Sequence, residues 1–397
     1  MIDTVAPDEI RVGRAQQAQT ILVTGKFLTS LAYFATLPYL TIYLSDHAGL
    51  SKPAAGAIAG LVALISALGG SVAGGWIDRW GAVPFMTAAM IAYAGVYAGL
   101  AFLRTTGAVV ALLALMGVVR MVLEPATKKL MSATAGGAAA NIFRIRYMVV
   151  SAGAIGGPLI GALLYHLGPK PFFLIPGCAL VAYLVLIVAR RSVLTGHEEP
   201  DTDQGPRSFR SALRDRRLLL ITATGLVFFT VFGQFDSMLP LLLHDVEGGR
   251  AVGIYSAALI ADAVLAIGLQ KPIVVFADRV PRRTLVTWGA ACIAASFPLF
   301  AASGTSLLLL AAGVLLFALG ESVLMPMPDI YLHETAPAAA RGAYFGFGEL
   351  RYLGFFVGPV LGGWVLSAGH LAFGVVFALA ALGSLALFRT SEARITD

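Results

Sequence analysis

Apolar runs of about 20 residues, the length a helix needs to cross a bilayer, recur along the whole chain between short polar or basic breaks. They fall near 18–45, 53–76, 83–103, 106–127, 142–167, 171–190, 217–244, 251–276, 284–303, 306–331, 341–367 and 370–388. The pattern predicts an all-α membrane protein with twelve transmembrane helices in two six-helix bundles. The first bundle is expected over 1–190 and the second over 217–397, joined by a polar linker at 191–216 that contains Gly196, Pro200, Asp201, Gly205 and Pro206. The end of that linker, Phe209 to Arg217, has the pattern of a basic amphipathic turn lying on a membrane surface. Asp3, Asp8 and Glu9 precede the first run where a signal peptide would carry basic residues, so that run is expected to stay as a span.

The two sets of six look like copies. Moving back 201 residues puts Glu321 on Arg120, Pro326 on Pro125, Gly354 on Gly153, Gly358-Pro359 on Gly157-Pro158, Gly362 on Gly161 and Gly369 on Gly168. Glycines and prolines mark backbone geometry, so their coincidence at one offset points to a duplicated fold. The exchanged charge points to a division of labour.

Composition narrows the class. The 397 residues are 58% hydrophobic and 13% charged, with a mean hydropathy of +0.82, which excludes a soluble domain. With twelve spans both termini share one side, and 21 of the 28 Lys and Arg then lie there, which makes that side cytoplasmic and the membrane the inner one. The net charge of +6 thus reflects topology and contact with the lipid bilayer, and no nucleic acid is implied. Cys178 and Cys292 lie in separate helices and support neither a disulfide framework nor a metal site. No cofactor is implied. An intramembrane enzyme is disfavoured, because His47, His166, His244 and His370 lie at outer helix ends, His197 lies in the linker, and His333-Glu334 lacks a second His four residues on.

Candidate chemistry lies in the charges that interrupt apolar runs. Arg120, Asp236, Asp262, Glu321, Glu349 and Arg351 would each cost about 2.5–3.5 kcal/mol at mid-helix in lipid, on the order of 15–20 kcal/mol together. They are expected to face a water-filled cavity or one another. Arg120 and Glu124 are spaced to share a helix face, whereas Glu349 and Arg351 are not, and Arg351 could pair instead with Glu321. Acids outnumber bases in the set of six, and a carboxyl left unpaired away from water can load and release a proton. Tyr33, Phe228, Phe229, Phe232 and Phe235 are candidates to line an apolar path. Arg144 and Arg146 stand at the end of the fifth run, where they could snorkel.

Three motifs carry a resemblance. Gly74, Asp78, Arg79 and Gly81 resemble the loop signature of the major facilitator superfamily, with Ala82 and Val83 where two basic residues are usual. Asp278 and Arg279 repeat it, with Arg282-Arg283 keeping the basic pair and Pro281 in place of the glycine. Gly153, Gly157, Pro158 and Gly161, copied at Gly358-Pro359, resemble the fifth-helix signature of the exporting, antiporting branches. Phe235-Asp236 before Leu239-Pro240, Leu319-Gly320-Glu321, and Arg341-Gly342-Ala343-Tyr344 look like multidrug exporters of the LmrP and MdtH kind, in the drug:proton antiporter branch.

The resemblance implies a major facilitator fold and a proton-coupled exporter of small amphiphilic organic compounds that works by alternating access. Its loop aspartate would latch onto a helix N-terminus, where the helix dipole favours negative charge. Its fourth-helix arginine, at Arg120, would take part in proton coupling. Asp236 and Glu321 would serve substrate and proton, their protonation weakening pairs with Arg120 or Arg351. A third acid of the exporter pattern falls on Arg146, a base, which suits the alternative of a dedicated exporter of an endogenous metabolite such as a carboxylate siderophore. Uptake by symport is disfavoured by the two Gly-Pro signatures. The family's usual state is a monomer, and the partners implied are a small-molecule substrate and protons.

Overall fold

The computed structural model describes residues 7–48, 52–103, 105–135, 139–197, 214–277 and 279–396, and every regular element among them is helical. Six long helices open the chain: α1 (Pro7–Ala48), α2 (Lys52–Trp80), α3 (Ala82–Phe102), α4 (Thr106–Ala135), α5 (Ala139–His166) and α6 (Pro169–Ala189). The later half is more broken. There α7 (Arg216–Ser237) runs on as α8 (Leu239–Glu247), α9 (Ala251–Gly268) as α10 (Gln270–Ala277), and α12 (Leu307–Leu324) as α13 (Met327–Thr335), with α11 (Arg282–Ala301) unbroken. A 3₁₀ stretch, Glu349–Leu353, joins α14 (Arg341–Gly348) to α15 (Gly354–Ser367), and α16 (His370–Thr396) closes the chain. Among the described residues eleven stretches are long and apolar enough to cross a membrane, and α9 with α10, bent by 41°, makes up to twelve.

The breaks follow proline chemistry. Pro240 and Pro272 stand just after an interruption and Pro326 within one, because proline brings no N–H and crowds the carbonyl four residues back. Pro125, which matches Pro326, stays inside unbroken α4.

The chain divides into two compact units, one of α1–α6 with the later segment Ala336–Glu349, the other of Arg214–Thr335 and the chain from Leu350. In the first, α1 packs on α5 and α6, α2 on α4, α3 on α4 and α6, and α14 on α2. In the second, α7 packs on α15 and α16, α9 on α12, and α11 on α12 and α16. The neighbour pattern is thus repeated, as the 201-residue offset predicts. Gly153, Gly157 and Gly161 press on Ser30, Phe34 and Ala35 of α1, while Gly354, Gly358 and Gly362 press on Leu226, Thr230 and Gln234 of α7. The matched turn glycines Gly168 and Gly369 both hold positive φ, 95° and 116°. Pro158 sits inside α5 and its carbonyl accepts from the Tyr39 hydroxyl at 2.9 Å; Pro359 sits likewise inside α15.

Two helix ends differ from expectation. The loop motif is mostly helical: Gly74, Asp78 and Arg79 belong to α2, and only Gly81, at φ 88°, makes the turn. Helix α4 continues past its apolar run to Ala135, so Lys128 and Lys129 are buried instead of lying in a loop, because both meet carboxylates. Linker residues 198–213, which include most of the amphipathic turn from Phe209, and Asp278 of the repeated motif lie outside the described residues.

The four candidate lining phenylalanines are core, whereas Tyr33 is only partly buried. Phe228, Phe229, Phe232 and Phe235 are all buried. Phe235 stacks on Phe317 of α12 at 4.6 Å and Phe232 on the same ring at 5.3 Å, so they fill the space between α7 and α12.

Candidate functional site

In the first unit the polar centre is Glu124 of α4. Lys26 of α1 donates to its Oε1 at 2.5 Å and Arg146 of α5 to its Oε2 at 2.8 Å. Arg120, one turn earlier, comes only to 3.7 Å from Oε1. Its guanidinium instead lies over the Tyr33 ring, 3.8 Å from the centroid, with the Tyr93 phenol close by. Arg146 therefore does not snorkel; it binds a carboxylate inside the bundle. The predicted Arg120–Glu124 face is present, but it is the outer part of a larger group of charges.

In the second unit the corresponding place is acidic. Asp262 of α9 and Glu321 of α12 are 7% and 5% exposed, and their carboxyl groups face each other. Asp236, near the end of α7, is exposed and close enough to Asp262 to interact with its charge. The tyrosine hydroxyl of Tyr255 donates to the Asp236 carbonyl at 3.4 Å.

The remaining predicted charges are tied elsewhere. Asp78 accepts from the backbone N–H groups of Gly342 and Ala343 at 2.6 and 2.7 Å, capping the first turn of α14. Lys129 holds the same carboxylate at 2.9 Å. Gly70 and Gly74 of α2 lie directly against Gly346 and Gly342 of α14, where a Cβ would strike backbone. One residue beyond α14, Glu349 is ion-paired with Lys128. Arg351 is bound to Asp329 of α13 at 2.5 Å, because α13 carries its own acid toward the 3₁₀ stretch. Arg351 is thus held by Asp329, while Arg120 stands over Tyr33 at the edge of the Glu124 group. Arg79 and Arg279 are exposed.

The Major Facilitator Superfamily model matches residues 22–347. The chain belongs to that superfamily. The MFS-type transporter YqjV of Bacillus subtilis (strain 168), described as uncharacterized, is 27% identical over 352 residues, 86% of this chain and 84% of that protein. The multidrug resistance protein MdtH of Shigella dysenteriae serotype 1 (strain Sd197) is 26% identical over 373 residues, 91% of this chain and 90% of its own. The human organic anion transporter MFSD10 (TETRAN) shares the fold with a TM-score of 0.79 at 18% identity, over 94% of this chain and 99% of that one. The proton:xylose symporter XylE, bound to 6-bromo-6-deoxy-D-glucose, does so with a TM-score of 0.71 at 12% identity, over 95% and 96%.

As a major facilitator protein the chain is a multi-pass membrane transporter, not an enzyme. Four of its buried charges escape sequence reasoning. Lys26 is visible as a charge within an apolar run but stands outside the set of six. Lys128 and Lys129 pass for loop cations, though Lys128 follows Glu124 by four residues, the spacing of one helix face. Asp329 lies beyond the helix break at Pro326, where nothing in the spacing points it at Arg351.

Proposed function

We propose that this transporter is a proton-coupled exporter of small amphiphilic organic compounds, working by alternating access in the inner membrane with both termini cytoplasmic. The observation that carries the reading is the buried pair of facing acids, Asp262 and Glu321, with Asp236 beside it. A proton entering from outside neutralises the pair and stabilises one conformation; substrate binding from inside favours the conformation that gives the proton up. The acids act on each other through their charges. The likeness to MdtH, a multidrug resistance protein, supports export over uptake.

Asp78 with Lys129, and Lys128 with Glu349, supply the latch. They grip α14, which must leave α2 once per cycle if access alternates, and the Gly70–Gly346 and Gly74–Gly342 contacts let it return to the same seat. Efflux from proteoliposomes is the test, with an inward proton gradient and a panel of lipophilic cations and carboxylates. Outward movement that the gradient accelerates, and that Asp262→Asn and Glu321→Gln uncouple, is expected. Inward accumulation of any panel compound under the same gradient would sink the export reading.

A further inference from the structure

We infer that Arg120 is the docking point for an anionic headgroup of the substrate, a carboxylate or sulfonate, and that Glu124 is the resident anion that keeps its neighbours in place. The inference rests on the transport reading only for there being a substrate to dock. Three cations, Lys26, Arg120 and Arg146, surround one carboxylate. Both Glu124 oxygens are taken at bonding distance, Oε1 by Lys26 at 2.5 Å and Oε2 by Arg146 at 2.8 Å, which leaves Arg120 at 3.7 Å. Arg120 is also the most open of the four, its side chain 19% exposed against 9–10% for the others. Tyr33 beneath its plane fixes the guanidinium in one orientation while leaving its edge donors available.

A second observation is independent of charge. The phenols of Tyr93 and Tyr183 are 0% and 1% exposed; Tyr183 meets no hydrogen-bond partner among the described residues, and the Tyr93 oxygen faces the Arg120 guanidinium, which leaves its O–H to offer. Tyr93 lies beside Arg120 and Tyr183 beside Glu124. Buried hydroxyls are nearly always bonded, so each of these has an O–H to offer an acceptor outside the described residues. A fixed planar cation flanked by unspent O–H donors is what a carboxylate or sulfonate needs: two oxygens accept from the guanidinium edge and one from a phenol. The matching residue of the other unit, Glu321, would repel the same headgroup.

The test uses the full chain in detergent and three probes with one fluorophore: dansylglycine, its neutral amide, and the cation dansylcadaverine. Fluorescence titration should show dansylglycine bound at least tenfold more tightly than the amide. Arg120→Gln should erase the difference, Arg120→Lys should keep part of it, and Tyr93→Phe should weaken the carboxylate severalfold without moving the amide. Equal affinity for carboxylate and amide in the wild type would overturn the site, as would undiminished discrimination in Arg120→Gln; it would mean that the phenols hold water and the cations are structural. If Arg120→Gln does not fold, the wild-type ranking and Tyr93→Phe decide. Carboxylate preference with no gradient-driven movement of any probe would leave the anion site standing and remove the exporter. Gradient-driven efflux of the cation alone would do the reverse.

Discussion

Arg120 and Glu321 occupy matching places in the two halves of a duplicated fold, and their surroundings have diverged in opposite directions. Around Glu124 the first unit gathers Lys26, Arg120 and Arg146, and the contacts are ion pairs made across three helices. The second unit sets Asp262 against Glu321, acid against acid, with Asp236 near. An ion-pair group holds its shape by attraction, and taking out its one anion leaves like charges buried together. Two facing carboxyls repel when both are ionised, and a proton from solvent relieves that repulsion. On the proposed function, one half keeps its charge and the other changes it.

That contrast sets four expectations. The largest concerns stability: Glu124→Gln strands three cations and should destabilise the protein by about 3–5 kcal/mol, seen as a large fall in apparent Tm in detergent. Asp262→Asn keeps a donor for Glu321 and should shift stability by no more than about 1 kcal/mol. Equal losses in the two variants would abolish the distinction. Next, Asp262→Asn and Glu321→Gln should each slow gradient-driven efflux at least tenfold while leaving substrate exchange without a gradient intact. Loss of both processes together would mean that these acids bind substrate instead of coupling it to the proton.

Smaller effects belong to the latch. Asp78→Asn weakens the cap of α14 and the Lys129 pair, and should lower stability by about 1–2 kcal/mol. It should also raise the reactivity of a cysteine placed at Ala343 toward a water-soluble maleimide, and unchanged labelling would argue that α14 stays seated without the carboxylate. The smallest change is expected at Arg282, whose two hydrogen bonds to Glu334, at 2.6 and 2.7 Å, are partly exposed. Arg282→Ala should cost less than about 1 kcal/mol. A loss there as large as that from Glu124→Gln would mean that the thermal assay does not separate buried from surface charge.

The fold was largely legible because a bilayer sets one length for every span, and apolar runs report it without reference to partners. Duplication was legible for a similar reason: Gly153 and Gly354, or Gly168 and Gly369, are there for backbone geometry, which both copies share. The site was legible only where its contacts are local. Arg120 and Glu124 share a face four residues apart. Lys26 meets Glu124 across 98 residues and Lys128 meets Glu349 across 221, and no periodicity encodes such a meeting. Helix α4 outlasts its apolar run for the same reason, since Lys128 and Lys129 are stabilised by acids from distant parts of the chain. Phe232 and Phe235 show the opposite failure: an aromatic stripe reads alike whether it lines a path or fills a core.

The five residues Glu349–Leu353, wound as 3₁₀ helix between α14 and α15, form a screw thread within a single span. Each 3₁₀ residue turns about 120° and rises about 2.0 Å, against about 100° and 1.5 Å in an α-helix. Rewinding the stretch as α would therefore rotate one end of the span against the other by about 100° and shorten it by about 2.5 Å. Glu349 and Arg351 sit on that thread, one gripping Lys128 and the other Asp329. A fraction of a turn there aims both side chains away from their partners at once, so these two ion pairs would open together, as the wards of a lock yield to one key.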